Sequence, residues 1–354
     1  MTDLLCLAPE AAHAALGEWL TARGEPAYRL RQVLPRLWQR PVGSWEEATE
    51  LPAALRTALA GAFPLFRLTQ TTRQVSSDGT EKFLWTLADG EAIESVLIPE
   101  GKRRTLCISS QAGCALGCVF CATGRMGFRR NLSVGEIAGQ VRELVLAAGT
   151  PKPTNVVFMG MGEPLLNWEA VDTTLTILNH PDGFGIGARH ITVSTVGILP
   201  NLAKLARRPE QFRVALSLHA PTASARRELM PIEKKYKLPD VMEALKQFRR
   251  RVTLEYVLIG GKNDSLEAAD QLAKLAQPLG ALVNLLPLHP GGAPDLTPSD
   301  RTRMIVFERR LKTRGVEAVL RRSRGLDISA ACGQLRVEVL SRGKVGAKEH
   351  AGIE

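Results

Sequence analysis

The sequence predicts an α/β protein built as a partial (β/α)6 barrel, preceded by a small N-terminal helical domain and a short β extension. Three observations carry that prediction. Between residues 105 and 314, six apolar runs of strand length alternate with six segments of helical spacing, the pattern of a parallel sheet with helices packed outside it. The hydrophobic period is helical before residue 60 and falls to two between residues 66 and 98. Glycine-rich or polar turns close several strands at their C-terminal ends, where a barrel of this kind gathers its chemistry.

Residues 11–20 and 29–38 have helical apolar spacing, the second limited by Pro35, with Gly24-Glu25-Pro26 as the turn between them. Residues 83–87 and 92–98 read as strands, and Asp78-Gly79 and Asp89-Gly90 as turns. The expected barrel strands are 105–110, 155–161, 190–195, 212–219, 253–260 and 281–288. The expected helices are 133–148, 168–179, 200–206, 238–250, 266–277 and 299–314. Six such units suit a partial barrel better than a flat doubly wound sheet, although pattern alone does not separate the two. The domains expected are a helical unit over 1–65, a β-hairpin over 66–98, a barrel with a C-terminal loop over 99–335, and a polar, mobile tail over 336–354.

Composition narrows the function. At 45% hydrophobic and 23% charged residues the chain is not a disordered one. No run of 18 apolar residues is present and the N-terminus lacks a signal-peptide core, so a cytoplasmic protein that avoids membranes is expected. The net charge is +10, which points to a polyanion partner, RNA or DNA first. The charge is unevenly placed: residues 1–98 carry nine Lys and Arg against twelve Asp and Glu, and residues 99–354 carry 37 against 24. Two basic groups stand out, Lys102-Arg103-Arg104 with Arg125, Arg129 and Arg130, and the stretch 301–324. The first flanks a cysteine-rich loop, where phosphate contacts would position an RNA strand without reading its sequence.

Three of the six cysteines, Cys114, Cys118 and Cys121, fall within eight residues. Such density outside a secreted chain points to metal. Structural zinc asks for four ligands in two pairs, and Cys107 and Cys332 do not make a second pair. Three thiolates instead suit a [4Fe-4S] cluster with one iron open to a further ligand. The order C-x3-C-x2-C, with Phe120 before the third cysteine, resembles the signature of the radical S-adenosylmethionine (SAM) enzymes. In those enzymes a Gly-Gly-Glu-like turn meets the SAM amino group, a role that Gly162 and Glu163 match. Ser194, and Ser217-Leu218-His219, close the next two strands and offer polar groups to the same ligand. A lone histidine at a strand end is more often a core or capping residue.

Longer strings sharpen the resemblance. TLCISSQAGCALGCVFCATG, VFMGMGEPLLN, SLHAP and DISAACGQL, in this order, closely resemble the bacterial 23S rRNA adenine-C2 methyltransferase family, whose members also act on certain tRNAs. The likeness runs from about residue 8 to 340. It implies an enzyme that uses two SAM molecules per turnover. One methylates Cys332. The second, on the open iron, yields a radical that takes hydrogen from the S-methyl group, and the resulting carbon radical adds to adenine C2. Glu94 matches the family's proton acceptor, although from the residues alone it reads as a solvent-facing strand position. Cys107 matches the thiol that releases the product through a transient disulfide with Cys332. A flavodoxin-type electron donor, a cytoplasmic monomer and 23S rRNA and tRNA substrates are further implications. One departure stands at His289, where the family has an asparagine that helps to bind SAM. Cys6 receives no role. The competing readings are a C8 adenine methyltransferase, a radical SAM enzyme of another reaction class, and a non-enzymatic RNA-binding module in which zinc is held by Cys107 and the triplet.

Overall fold

The computed structural model describes residues 3–147, 152–289, 293 and 295–328. Cys332 and the rest of the chain beyond 328 lie outside the described residues. The first elements are helices: α1 (Pro9–Ala22), α2 (Tyr28–Val33) and α3 (Ala53–Ala62). Pro9 opens α1, where a missing N–H costs nothing. Ala12, Leu16 and Leu20 recur along one stripe of α1 and are buried. Pro35 ends α2 as expected, in a single 3-10 turn over Leu34–Arg36.

Four strands follow as an antiparallel meander, β1 (Thr69–Val75), β2 (Glu81–Thr86), β3 (Ala92–Glu100) and β4 (Arg103–Cys107). β3 runs through residue 98 and pairs with β4, so the extension and the barrel share one sheet. A small hairpin, β5 (Gln111–Gly113) and β6 (Phe128–Asn131), brackets the short helix α4 (Ala122–Met126). Then α5 (Val134–Leu146), β7 (Asn155–Phe158), α6 (Trp168–Asn179), β8 (Ile191–Thr195), α7 (Leu199–Ala206), β9 (Arg213–Ser217), α8 (Ala223–Leu229), α9 (Leu238–Leu245), β10 (Thr253–Leu258), α10 (Leu266–Ala276), β11 (Leu282–Pro287), α11 (Arg301–Thr313) and β12 (Ala318–Leu320) complete the chain.

β4, β7, β8, β9, β10, β11 and β12 pair in parallel, in that order. The alternation expected from the sequence is present, with three additions. β12 adds a seventh parallel strand, α8 lies in a segment without an expected element, and the β5–β6 hairpin interrupts the first β-α connection. The helix expected over 238–250 stops at Leu245, before the largely basic run Lys246-Gln247-Phe248-Arg249-Arg250.

The sheet is curled. Flat, the ten strands would hold β1 and β12 about 43 Å apart. Yet Gly325, five residues past the end of β12 and within about 17 Å of it along the chain, donates its N–H to Asp78 in the β1–β2 turn at 3.0 Å. The two edges of the sheet therefore approach one another, as an open barrel requires.

The N-terminal helices are fastened to α5. Arg142 is buried and its guanidinium donates to the carbonyls of Leu37, Val42 and Phe66. Arg67 forks onto Glu143, Nε donating to Oε1 and Nη2 to Oε2, each at 2.7 Å. Cys6 is structural here: its sulfur accepts from the Gly135 N–H at 3.3 Å and donates to Asp3 at 3.2 Å. Burial and the Asp3 carboxylate push its thiol up to about 11, so it stays protonated and unreactive at neutral pH.

Candidate active site

Register and alternation place the polar residues of the barrel on one face. On β3 Glu94 and Val96 share a face, and Val96 pairs with Cys107. Cys107 pairs with Val157, Val157 with Thr192, and Ser194 with Ala215. Ser217 pairs with Glu255, and Glu255 with Asn284. Partners across a ladder, and residues two apart along a strand, point to the same side. Glu94, Cys107, Ser194, Ser217, Glu255 and Asn284 thus line one surface. The opposite surface carries Leu106, Val156, Ile191, Val193, Val214, Leu254 and Val283, all at most 2% exposed and part of the apolar core.

Glu94 is 3% exposed, which corrects the solvent-facing position expected from the strand pattern. The Ser109 hydroxyl donates to the Glu94 carbonyl at 2.7 Å and accepts from the Met161 N–H at 2.8 Å. Gln140 of α5 closes this knot, accepting from the Ser109 N–H at 2.8 Å and from the Ser95 hydroxyl at 3.0 Å. Glu94 and Cys107 stand diagonally on neighbouring strands, about 7 Å apart at that geometry. Lys82 of β2, which pairs with Val96, is fully buried on the same face.

The cysteine loop hangs from the β5–β6 hairpin. The Cys114 N–H donates to the Gly127 carbonyl at 3.0 Å. Gly113 has φ +75°, and a Cβ there would lie 2.0 Å from that carbonyl oxygen, so only glycine permits the crossing. Within the loop the Cys121 N–H donates to the Cys118 carbonyl at 3.1 Å, and the Val119 N–H to the Leu229 carbonyl of α8 at 3.0 Å. Cys114 and Cys118 are buried and Cys121 half-buried. Burial, and then each other's charge, push the Cys118 thiol well above its usual range, and burial pushes Cys114 up to about 12. Unliganded, these thiols hold their protons. A metal that binds them must displace those protons.

Among the described residues no three His, Cys, Asp or Glu side chains converge on one point as a single ion would require. A cubane cluster makes a different demand, one thiolate to each of three irons. Three thiols on one short loop, two of them shielded from water, fit that demand.

The SAM-directed residues gather at the ends of the next strands. Gly162 has φ +97°, and a Cβ there would lie 2.5 Å from Gln111 Cβ. The Glu163 N–H donates to Gln111 Oε1 at 2.9 Å. The Glu163 carboxylate accepts from the Leu165 N–H at 3.0 Å and the Val196 N–H at 2.9 Å, which ties the β7 turn to the β8 turn. Complete burial pushes its pKa up to about 7 against those hydrogen bonds. The Ser194 and Ser217 hydroxyls are 3.4 Å apart on adjacent strands. Leu218 is fully buried and donates its N–H to the Glu255 carbonyl. His219 takes φ +56° and its Nδ1 accepts from the Val257 N–H at 3.0 Å, so the described side chain caps a neighbouring strand. Burial, and then Arg226, push the imidazole down to about 3. His289 is half-buried at the end of β11, and burial lowers its pKa.

Sequence reasoning passed over the residues that hold this site. Asn167 donates to the Ser110 and Leu132 carbonyls, both at 2.8 Å. Asn284 donates to the Glu255 carboxylate at 3.0 Å. Arg226 and Glu233, both fully buried, pair at 2.6 Å, and Arg226 also donates to the Val196 carbonyl. Asn167 and Asn284 are polar at positions whose neighbours are apolar, a signal the sequence offers; Arg226 and Glu233 stand beside other charged residues and carry no such mark. Of the basic residues near the cysteine loop, Arg130 forks onto Glu136 and reaches Asp89 at 2.5 Å, so it braces the capping box of α5. Arg129 is 61% exposed and touches Glu91 only at 4.0 Å.

The model of the radical SAM superfamily matches residues 108–276. A Gemmatimonas aurantiaca protein named "Probable dual-specificity RNA methyltransferase RlmN" is 60% identical over all of this chain and 98% of its own. A Bacillus cytotoxicus protein of the same name is 43% identical over 91% of this chain and 90% of its own. The crystal structure of a radical SAM methyltransferase from Sphaerobacter thermophilus superposes with a TM-score of 0.87 at 42% identity, covering 94% of this chain and 99% of that one. With identity of that order along the full length of both chains, the protein belongs to the radical SAM family of dual-specificity RNA methyltransferases, RlmN.

Proposed function

We propose that the protein methylates C2 of an adenine in 23S rRNA, and of an adenine in tRNA, through a methyl group carried on Cys332. The observation that carries the reading is the shared face of Glu94 and Cys107, on paired strands beside the strand ends that would hold SAM. Adenine C2 is electron-poor and offers no nucleophilic pair, so direct displacement on SAM does not methylate it. A cluster on Cys114, Cys118 and Cys121, with SAM, supplies the electron and the radical chemistry. Gly162, Glu163, Ser194, Ser217, Leu218 and His219 form the SAM-holding wall, and Asn284 and His289 stand beside it.

The chain's own residues do the rest. Cys332 presents the carbon that bonds to C2. Glu94 takes the C2 proton; burial on the barrel face keeps competing water away from its carboxylate. Cys107 then attacks Sγ of Cys332, and an S–S bond forms as the C–S bond breaks. The electron pair of that bond stays on the carbon, which takes up a proton to become the methyl group, and the one unpaired electron left by the radical addition would pass back to a cluster on Cys114, Cys118 and Cys121. The target adenine must leave its stack first, which suits RNA met before or during folding. Arg129, exposed on β6 beside the cysteine loop, would steer its phosphates, whereas Lys102 stands in the β3–β4 turn, at the opposite end of β4 from Cys107. A monomer in the cytoplasm, reduced by a flavodoxin-type donor, completes the reading.

The test is paired. Cys332→Ala is expected to abolish methyl transfer, and Cys107→Ala to trap an RNA–protein adduct that survives a denaturing gel. Absence of any adduct under turnover conditions overturns the covalent route. Mass spectrometry of digested rRNA separates C2 from C8 methylation, and anaerobic protein that holds zinc without iron or sulfide would support the RNA-binding module instead.

A further inference from the structure

Beyond β12 hydrogen bonds fasten the chain at two points to the turn that joins β1 and β2, and Arg324 adds an ion pair to Asp78 at 4.0 Å. The Gly325 N–H donates to Asp78 Oδ2 at 3.0 Å. Asp327 Oδ1 accepts from the Ser76 hydroxyl at 2.5 Å and Asp327 Oδ2 from the Ser77 N–H at 3.0 Å. The turn is itself prepared: the Ser76 hydroxyl accepts from the Asp78 N–H at 3.2 Å, and Asp78 Oδ1 accepts from the Thr80 N–H at 2.9 Å. Gly325 takes φ +60°, a backbone state open to glycine, so the chain bends toward the turn. Hydrogen bonds from Ser76 and Ser77 hold the Asp327 carboxyl below its usual range, which keeps it an ionised acceptor at neutral pH. These contacts lie beyond the last strand of the barrel, since β12 ends at Leu320.

Their position has a geometric consequence. The ladder carries Glu81 to Leu97 and Leu97 to Leu106, so Ser76 stands three strand spacings from β4 and close to the level of Thr105. That separates it from Cys107 by about 16 Å. Five residues part Asp327 from Cys332, a reach of about 17 Å. Counted from Leu320, the end of the last strand, twelve steps of chain lead to Cys332, more than twice the length from Asp327.

We propose that the Ser76–Ser77–Asp78 turn is a dock for the C-terminal segment and that Asp327 is a positioning residue that keeps Cys332 within reach of Cys107. The proposal rests on the reading of those two cysteines as the reacting pair.

Its test reads their encounter directly. Anaerobic holoenzyme is treated with diamide, whose N=N bond takes two electrons and two protons as two thiols become one disulfide, and the Cys107–Cys332 bond is followed by peptide mapping. Asp327→Ala is expected to slow its formation about fivefold or more by lowering the effective concentration of one thiol at the other, with cluster absorption and melting temperature unchanged. Asp327→Glu restores part of the rate, and the Ser77 and Gly325 amides exchange faster in Asp327→Ala. Should Asp327→Ala fail to fold, Ser76→Ala, the loss of one hydroxyl on a turn, carries the same expectation. Equal rates in wild type and in the variant that folds overturn the dock. No Cys107–Cys332 disulfide in the wild type overturns the cysteine reading, and the dock with it.

Discussion

The ring of Phe120 meets the imidazole of His219 edge-on, with centroids 4.6 Å and planes 63° apart. The contact joins the cysteine loop to the fourth parallel strand of the barrel. Phe120 sits between Cys118 and Cys121, so the aromatic of the motif packs the loop against the site that it serves. His219 is held from behind by the Val257 N–H and cannot follow if the ring is lost. Phe120→Ala is expected to cost about 2 kcal/mol, less than a fully buried phenylalanine because the ring is half-buried. It should also lower the iron bound per chain on reconstitution. Thermal melting and iron analysis check the two effects separately, and full iron content would show that the loop holds its shape without the ring.

His219 and Glu163 should impose opposite pH dependences on stability. His219 ionises near 6.5 when unfolded and about 3 when folded. Between those values only the unfolded chain binds the proton, so its contribution is whole above pH 6.5 and is lost as pH falls, by about 1.4 kcal/mol at pH 5.5. Glu163 moves from 4.5 up to about 7 on folding. Its native state holds the proton, so its contribution is whole below pH 4.5 and is lost as pH rises through 7. The two slopes offset one another in the wild type. His219→Gln leaves Glu163 alone, so melting temperature should fall more between pH 5.5 and 7.5 in the variant than in the wild type. An equal fall in both proteins would mean that His219 titrates normally.

Gly113 is expected to be intolerant of any side chain. Its φ is +75° and the Gly127 carbonyl oxygen occupies the place of its Cβ. Gly113→Ala forces the β5–β6 hairpin apart at the residue before Cys114, at a cost on the order of 3 kcal/mol. Cluster absorption should drop with stability. By contrast Gly61→Ala, where nothing lies within 4 Å and the residue sits inside α3, should leave both intact or raise stability slightly. The pair of variants separates a local requirement from general sensitivity to substitution.

The architecture was legible because strand runs and helical spacing are local signals, and the six expected strands each fall on an observed one. The cluster cysteines were legible for the same reason, since their spacing lies within one loop. Glu94 was misplaced because β3 has both faces covered: Ile93 and Ser95 pack toward the helices while Glu94 and Val96 turn into the barrel. Alternation marks only one buried face and is blind to a second. β12 is three residues long, too short to carry a period. Gln140, Asn167 and Asn263, whose side chain donates to the His219 carbonyl, work through contacts 31 to 57 residues away in sequence. Such partners follow from the folded topology, and no window along the chain contains them.

Of the arginines beside the cysteine loop, Arg130 should brace the fold and Arg129 should meet RNA, while Arg125 is paired with Asp295 at 3.1 Å. Arg130 spans Asp89 and Glu136, and Glu136 is at once the N3 residue of the α5 capping box. Reversing its charge leaves two carboxylates facing a third, so Arg130→Glu is expected to destabilise the protein by about 2 kcal/mol. Weak RNA binding by that variant would then say little about contact. Arg129 has one long contact and an exposed guanidinium, whereas Lys102 lies in the turn between β3 and β4, at the far end of β4 from the loop. Arg129→Glu should therefore keep the melting temperature and the cluster while weakening RNA binding across all sequences tested. If Arg129 contacts one phosphate, the slope of log K against log salt should fall by about 0.7 on single-stranded RNA. An unchanged slope would move the RNA path to the other basic stretch. There Arg310 and Arg314 are already spent on Asp270, and Arg301, Arg309 and Arg322 are the residues to reverse next.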